Sequence, residues 1–231
     1  LAYGALWATL NWPEGAGFLE DALDQRYRRA HEMIGVMPIG VNPATERKGA
    51  AFFWSVRTDQ CEALHEAGTA AWREQVLALW PETAPLIDQI ADTRDMVFAQ
   101  YAHRTVRKPV APGFAHLGDA WHSTSPQLGQ GANMALLDAA GLAAGFHRYP
   151  DIADALAHYA WLRASHIKLY QAMSMVFTPL YKAGDGLRPF VREQLVHWFA
   201  GIWPARNLVA AIVSGGVGWP LRPMGLDTLE L

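Results

Sequence analysis

The chain has 231 residues, 51% of them hydrophobic and 18% charged, with 19 Lys and Arg against 22 Asp and Glu. That balance excludes a disordered chain, and a net charge of −3 leaves no broad basic face for the phosphates of a nucleic acid. The single cysteine, Cys61, excludes an internal disulfide framework and a Cys-rich zinc module, and it fits a reducing, cytoplasmic setting.

No membrane span is expected, because the most apolar run, Leu208 to Val217, falls short of the ~20 residues a crossing helix needs. No basic-then-apolar signal peptide opens the chain. It begins at Leu1 rather than Met, inside a segment that reads as a strand, and this suggests a fragment of a longer protein or a processed chain.

Taken in order, Tyr3 to Leu10 is aromatic and apolar and stops at Asn11-Trp12-Pro13-Glu14-Gly15, as a strand does. Arg26 to Ile39 predicts one strand or two, ending at Pro38 and Gly40. Lys48 to Arg57, with Ala-Ala-Phe-Phe-Trp-Ser-Val, predicts a buried strand joined to the preceding one by a hairpin over Val41 to Arg47. The period then changes. Leu64, Ala67, Ala71, Val76 and Leu79 recur at helical spacing from Gln60 to Trp80, and Pro81 to Ile90 reads as a short second helix. Asp95 to Val106 returns to strand character, and Phe114 to Leu117 is a short strand running into Gly118-Asp119. From Gly129 the pattern is helical. One helix carries Met134, Leu137, Gly141 and Ala144 on a face, and a long one carries Leu156, Tyr159, Arg163, His166, Tyr170, Met173 and Phe177. Two more are expected at Pro189 to Phe199 and Pro204 to Ser214. The fold class is α+β: a mixed or antiparallel sheet with inserted helices over 1–112, a Gly-Asp strand and helix over 113–147, and a helical tail over 148–231.

One stretch stands apart, Ala115 to Ala139, AHLGDAWHSTSPQLGQGANMALLDA. A short strand ends at Gly118, where the main chain permits close approach, and Asp119 follows at the strand's carboxyl end. A Ser-, Thr- and Pro-rich turn leads to Gly129-Gln130-Gly131, which opens a helix. Free N–H groups at a helix start, two of them on residues without a Cβ, receive anionic or dipolar edges of a flat ring. The plainer reading of the same residues is a glycine-rich turn with Asp119 as a local cap.

The whole string resembles the second flavin-binding motif of the FAD-dependent aromatic hydroxylases, the class A flavoprotein monooxygenases typified by p-hydroxybenzoate hydroxylase. It matches at Gly118, Asp119, Ala120, His122, Pro126, Gly129, Gln130, Gly131, Asn133, Asp138 and Ala139, and departs at Trp121 and Leu137. The resemblance implies that Asp119 binds the ribityl hydroxyls of FAD, that Pro126 lies beside the flavin ring, and that the main chain of Gly129, Gln130, Gly131, Ala132 and Asn133 faces its pyrimidine edge. It extends less specifically to Tyr3-Gly-Ala-Leu-Trp, Met33 to Pro38 and Phe52 to Ser55, which look like strands of the family's substrate domain. It thus implies the C-terminal part of a p-hydroxybenzoate hydroxylase-like flavoprotein, with NAD(P)H as reductant and a small aromatic or other organic substrate.

The family's N-terminal G-x-G-x-x-G unit has no counterpart in these residues: Gly129 to Met134 lacks the third glycine, and Gly15-Ala16-Gly17 reads as a loop. The expectation is that this chain alone forms no tight FAD complex. Two readings stand behind the monooxygenase: a non-catalytic, truncated or diverged binding module, and a halogenase, epoxidase or reductase of the same superfamily.

Other residues are weighed against plainer roles. Trp54, in a run of buried strand residues, is a candidate wall of a pocket for a flat substrate, and Met37 and His103 sit on strands that by resemblance face the flavin, which makes all three candidate substrate residues; ordinary packing is the alternative for each. No catalytic acid or base is assigned. His116, Asp119 and His122 have metal-ligand residue types, but steps of three along a strand and turn do not converge, so no metal is expected. The same His with Ser123 or Ser125 lacks the G-x-S-x-G elbow of a hydrolase. The Arg26-Tyr27-Arg28-Arg29 cluster reads as a solvated strand end and Cys61 as an inert thiol.

Overall fold

The computed structural model describes residues 1–15, 17–28 and 32–181, together with positions 207, 211, 216, 217, 220, 221 and 224. The helices expected at 189–199 and 204–214 lie outside the described residues. The chain forms two compact units, one over Leu1–Tyr101 and one over Ala102–Tyr181 with later residues.

The first unit is a five-stranded antiparallel sheet in the order β2-β3-β4-β1-β5, built from β1 (Tyr3–Asn11), β2 (Asp24–Arg28), β3 (Glu32–Val41), β4 (Lys48–Arg57) and β5 (Val97–Gln100). The expected strand from Arg26 to Ile39 is therefore two. Successive side chains alternate between the faces of a strand. Leu6, Leu10, Ile34, Val36, Ala50, Phe52, Trp54 and Val56 share one face and form a core with Trp72, Val76, Trp80, Leu86 and Ile87. These last residues come from α2 (Thr69–Leu79), from Trp80 directly after it, and from α3 (Ala84–Ile87). Strand β4 lies between two neighbours and is buried on both faces except at its ends, which is why its sequence reads as an unbroken apolar run. The hairpin loop from β3 to β4 turns on Asn42, whose Oδ1 accepts the Ala44 N–H at 3.0 Å.

Two elements of the first unit differ most from expectation. The helix predicted over Gln60 to Trp80 is two, α1 (Cys61–Ala67) and α2, because Gly68 adopts φ +87° and the helical period on either side continues through the break. Of the strand predicted over Asp95 to Val106, only β5 pairs with the sheet. Asp92 accepts the Arg94 N–H at 2.9 Å and forms a tight turn in front of it.

The second unit holds the short strands β6 (Arg104–Thr105), β7 (Val110–Ala111) and β8 (Phe114–Ala115) and the four-residue helix α4 (Asp119–His122). The helices α5 (Gly131–Arg148) and α6 (Ile152–Tyr181) complete it. Asp151 caps α6, accepting the N–H groups of Ala153 and Asp154 at 2.8 and 3.1 Å. Leu156, Tyr159, Arg163, Ile167 and Tyr170, at helical spacing, are the buried face of α6, and Met134, Leu137 and Gly141 that of α5. No helix among the described residues is long and apolar enough to cross a membrane.

Candidate functional site

The segment from β8 to α5 is a turn closed by its own main chain. Gly118 takes φ +53°, ψ −137°, a conformation open to glycine, and a Cβ there would lie 3.0 Å from the Cβ of Ala135 on α5. Its carbonyl accepts the N–H groups of Trp121 and His122, both at 2.9 Å. Asp119 therefore opens the short helix α4 and does not simply end a strand. Its side chain is exposed and has no hydrogen-bond or ion-pair partner among the described residues. The plainer reading of Asp119 as a local cap fails on this geometry, since no side chain caps α4.

Beyond α4 the chain runs extended through Ser123 and Ser125, makes a tight turn at Pro126–Leu128, and enters α5. Pro126, Gly129, Gly131 and Ala132 are exposed, and a Cβ added at Gly129 or Gly131 would meet nothing within 4 Å. No side chain caps the start of α5, so the N–H groups of Gly131 and Ala132 are presented outward at the positive end of an 18-residue helix. Gln130 is turned inward and buried; its side chain donates to Leu128 O at 3.3 Å and accepts from Asn133 Nδ2 at 2.9 Å, bracing the turn from behind. Strand β6 supports the other side, with bridges from Arg104 to Ser123 and from Thr105 to His122.

Under the turn lies a polar cluster whose geometry the sequence reading did not foresee. Asp138, wholly buried, accepts from Gly118 N–H at 2.8 Å and His122 Nε2 at 2.6 Å on one oxygen, and from Arg163 Nε at 2.8 Å on the other. Arg163, also wholly buried, donates to His166 Nδ1 at 2.8 Å. Burial opposes the charged carboxylate, but the hydrogen bonds from His122, Arg163 and Gly118 prevail and hold Asp138 below the usual carboxylate range. Nearby, Tyr159 donates to His116 O at 2.8 Å; burial and then the Asp138 charge push its phenol up. Asp138 and His122 were legible as motif positions; Arg163 was legible only as a polar residue, with His166, on a largely apolar helix face. His116 and His122 do not converge with Asp119 on a metal: His116 Nδ1 donates to Pro109 O at 3.0 Å, and His122 turns to Asp138. Among the described residues no three His, Cys, Asp or Glu side chains are grouped to hold a metal ion.

Of the residues expected at a substrate pocket, Met37 and Trp54 lie on opposite faces of the sheet. Trp54 is 3% exposed in the core between sheet and helices and borders a hollow of about 960 Å³, which is also lined by Tyr3, Arg57, Leu64 and Trp72. Met37 pairs with Ala51 on the opposite sheet face, because residues 51 and 54 of one strand point opposite ways. His103 belongs to the second unit and is half-buried. Cys61 contacts His65 at 3.5 Å, and its thiol is pushed up first by burial and then by Glu62.

No family model matches the chain. A putative 2-heptyl-3-hydroxy-4(1H)-quinolone synthase, AqdB1 of Rhodococcus erythropolis, is 35% identical over 125 residues, which are 54% of this chain and 32% of that protein. An FAD-dependent urate hydroxylase of Klebsiella pneumoniae is 46% identical over 54 residues, 23% of this chain and 14% of that protein. Among solved structures, Klebsiella pneumoniae HpxO complexed with FAD and uric acid aligns with a TM-score of 0.70 and 21% identity, covering 94% of this chain and 54% of that one. PqsL, a probable FAD-dependent monooxygenase from Pseudomonas aeruginosa, aligns with a TM-score of 0.63 and 18% identity over 86% of this chain and 52% of that one. At these identities the structural likeness shows the fold, and the chain spans only part of each relative. The chain is thus similar in sequence to part of two curated flavin-enzyme relatives and shares the fold of solved FAD-dependent flavoproteins over about half of their length.

Proposed function

We propose that the chain supplies the substrate-domain sheet and the ring-facing turn of an FAD-dependent monooxygenase. In this reading the enzyme uses NAD(P)H and O₂ to place one oxygen atom on an aromatic or other small organic substrate. The observation that carries this reading is the pairing of an outward, unpartnered Asp119 with an uncapped, glycine-lined start of α5 in one continuous turn. Those residues fit a flavin. Asp119 would accept hydrogen bonds from the ribityl hydroxyls, Pro126 would flank the ring, and the main chain from Gly129 to Asn133 would meet the pyrimidine edge. A bound FAD supplies the redox chemistry with reductant and oxygen.

The chain's own part is binding, orientation and electrostatics. The positive end of α5 would favour negative charge on a ring edge held there, a helix-end interaction of about 0.3–1 kcal/mol when exposed and up to ~2 when partly buried. Gly129 and Gly131 put no side chain at the start of α5, which would give a flat ring direct access to its N–H groups. On the sheet, Met37 occupies the face turned away from α1–α3, and we assign the substrate side to that face. Trp54 is then a core residue that supports it from beneath.

Flavin binding tests the reading. Riboflavin fluorescence is expected to be quenched weakly but saturably by the chain, Asp119→Ala to weaken this binding roughly 10-fold, and FAD to form no tight stoichiometric complex with these 231 residues. A yellow holoprotein recovered from the chain alone contradicts the last point, and unchanged riboflavin binding by Asp119→Ala contradicts the assigned site. In the enzyme that carries both this stretch and a G-x-G-x-x-G unit, phenolic compounds are expected to stimulate NAD(P)H oxidation; a screen with no stimulation refutes the hydroxylase assignment.

A further inference from the structure

Asp138 carries no assigned role in the reading above, yet it is the residue on which the flavin turn closes. Gly118 N–H and His122 Nε2 both bind one of its oxygens, at 2.8 and 2.6 Å, while the N–H of His122 returns to Gly118 O at 2.9 Å. Residues 118–122 are thus tied into a ring through Asp138, and Asp119 lies within that ring with its own side chain outside. Arg163 Nε holds the second oxygen at 2.8 Å, and its guanidinium is in turn bonded to His166, so the carboxylate cannot swing. Asp138 and Arg163 are both wholly buried and His122 is 4% exposed. A buried ion pair adds little net stability over an apolar replacement of similar volume. What this one adds is direction, since each oxygen has a fixed donor.

We propose that Asp138 is a positioning residue for the flavin: from the interior it fixes the Gly118 main chain and so sets the direction in which Asp119 presents its carboxylate to the polyol. The inference rests on the proposed flavin reading of the turn. It requires that loss of Asp138 impair recognition of the polyol chain specifically, and leave recognition of the ring by the start of α5 largely intact.

The test compares riboflavin with lumichrome, which has the tricyclic ring and no ribityl chain, by fluorescence titration of the 231-residue chain. The wild type is expected to prefer riboflavin by roughly 10-fold or more, the scale of a hydrogen bond to a charged group. Asp119→Ala removes the preference. Asp138→Asn removes it too, with lumichrome affinity within about 2-fold of wild type, and Asp119→Ala adds nothing further in the double variant, because coupled residues are not additive. His122→Ala, which releases one donor and keeps the Asp138–Arg163 pair, acts in the same direction and serves where Asp138→Asn does not fold. A variant that keeps the riboflavin preference, or weakens both ligands equally, overturns the proposal, since a merely structural brace would act on both. A wild type that shows no preference sinks the flavin reading instead. Hydrogen exchange then decides the positioning: Gly118 N–H exchanging roughly 10-fold faster in Asp138→Asn, with Met134 N–H unchanged, upholds it, and equal exchange overturns it.

Discussion

Charge stays on the outside of the sheet unit, where Arg28 pairs with Glu32, Lys48 with Glu20, Arg57 with Asp59 and Arg94 with Glu62 at 2.7–3.3 Å. Between sheet and helices its interior is Leu, Ile, Val, Phe and Trp. The unit beginning at Ala102 does the reverse, placing Asp138 and Arg163 wholly out of water beside a smaller apolar cluster of Trp121, Met134, Tyr159 and Ile167. The contrast shows what each kind of interior can specify. Apolar burial is strong and non-directional and makes a scaffold. A hydrogen-bonded ion pair contributes less net free energy but dictates where particular atoms point, and here those atoms belong to the turn that carries Asp119.

The contrast breaks most sharply at Asp138. Asp138→Ala leaves the Arg163 guanidinium buried without its counter-charge and is expected to cost about 3–5 kcal/mol in urea unfolding. Joint replacement by Asp138→Leu and Arg163→Met should recover roughly half of that loss or more, because the desolvated pair is removed whole. If the double variant is no better than the single, the ion pair is a true stabiliser and the comparison is wrong. In the sheet unit, Trp72→Ala is expected to cost about 3–5 kcal/mol through cavity formation alone, with no dependence on pH. Acid should separate the two units. The Asp138 carboxyl lies below its unfolded value of about 3.9, so its contribution is full above that pH and is lost as pH falls through the folded value. The stability gap between wild type and Asp138→Asn, measured from pH 6 downward, therefore closes below about pH 4, whereas the gap for Trp72→Ala does not. The smallest effect belongs to Asp119→Ala, which should shift unfolding by less than about 0.5 kcal/mol while abolishing the riboflavin preference. A large loss of stability there would show that the carboxylate braces the fold.

Much of this was legible along the chain, and unevenly so. The strands at Tyr3–Asn11 and Lys48–Arg57 and the helices at Gly131–Arg148 and Ile152–Tyr181 emerge where their periodicity says, because each buries a regular set of side chains. The break at Gly68 was hidden because Leu64, Ala67, Ala71 and Val76 keep the same rhythm across it. The face assignment of Met37 and Trp54 was hidden for a different reason: two strands say nothing of their mutual register until they pair.

The order of residues from Gly118 to Asn133 was enough to name the kind of turn this is, since glycines, a carboxylate and a helix start are local features that need only neighbours in sequence. That Asp119 faces outward and Asp138 inward was decided by the tertiary structure. The two carboxylates are chemically alike. What separates them is the arrival of Arg163 from a helix that passes beneath the turn, 25 residues further along, and no local pattern encodes that meeting.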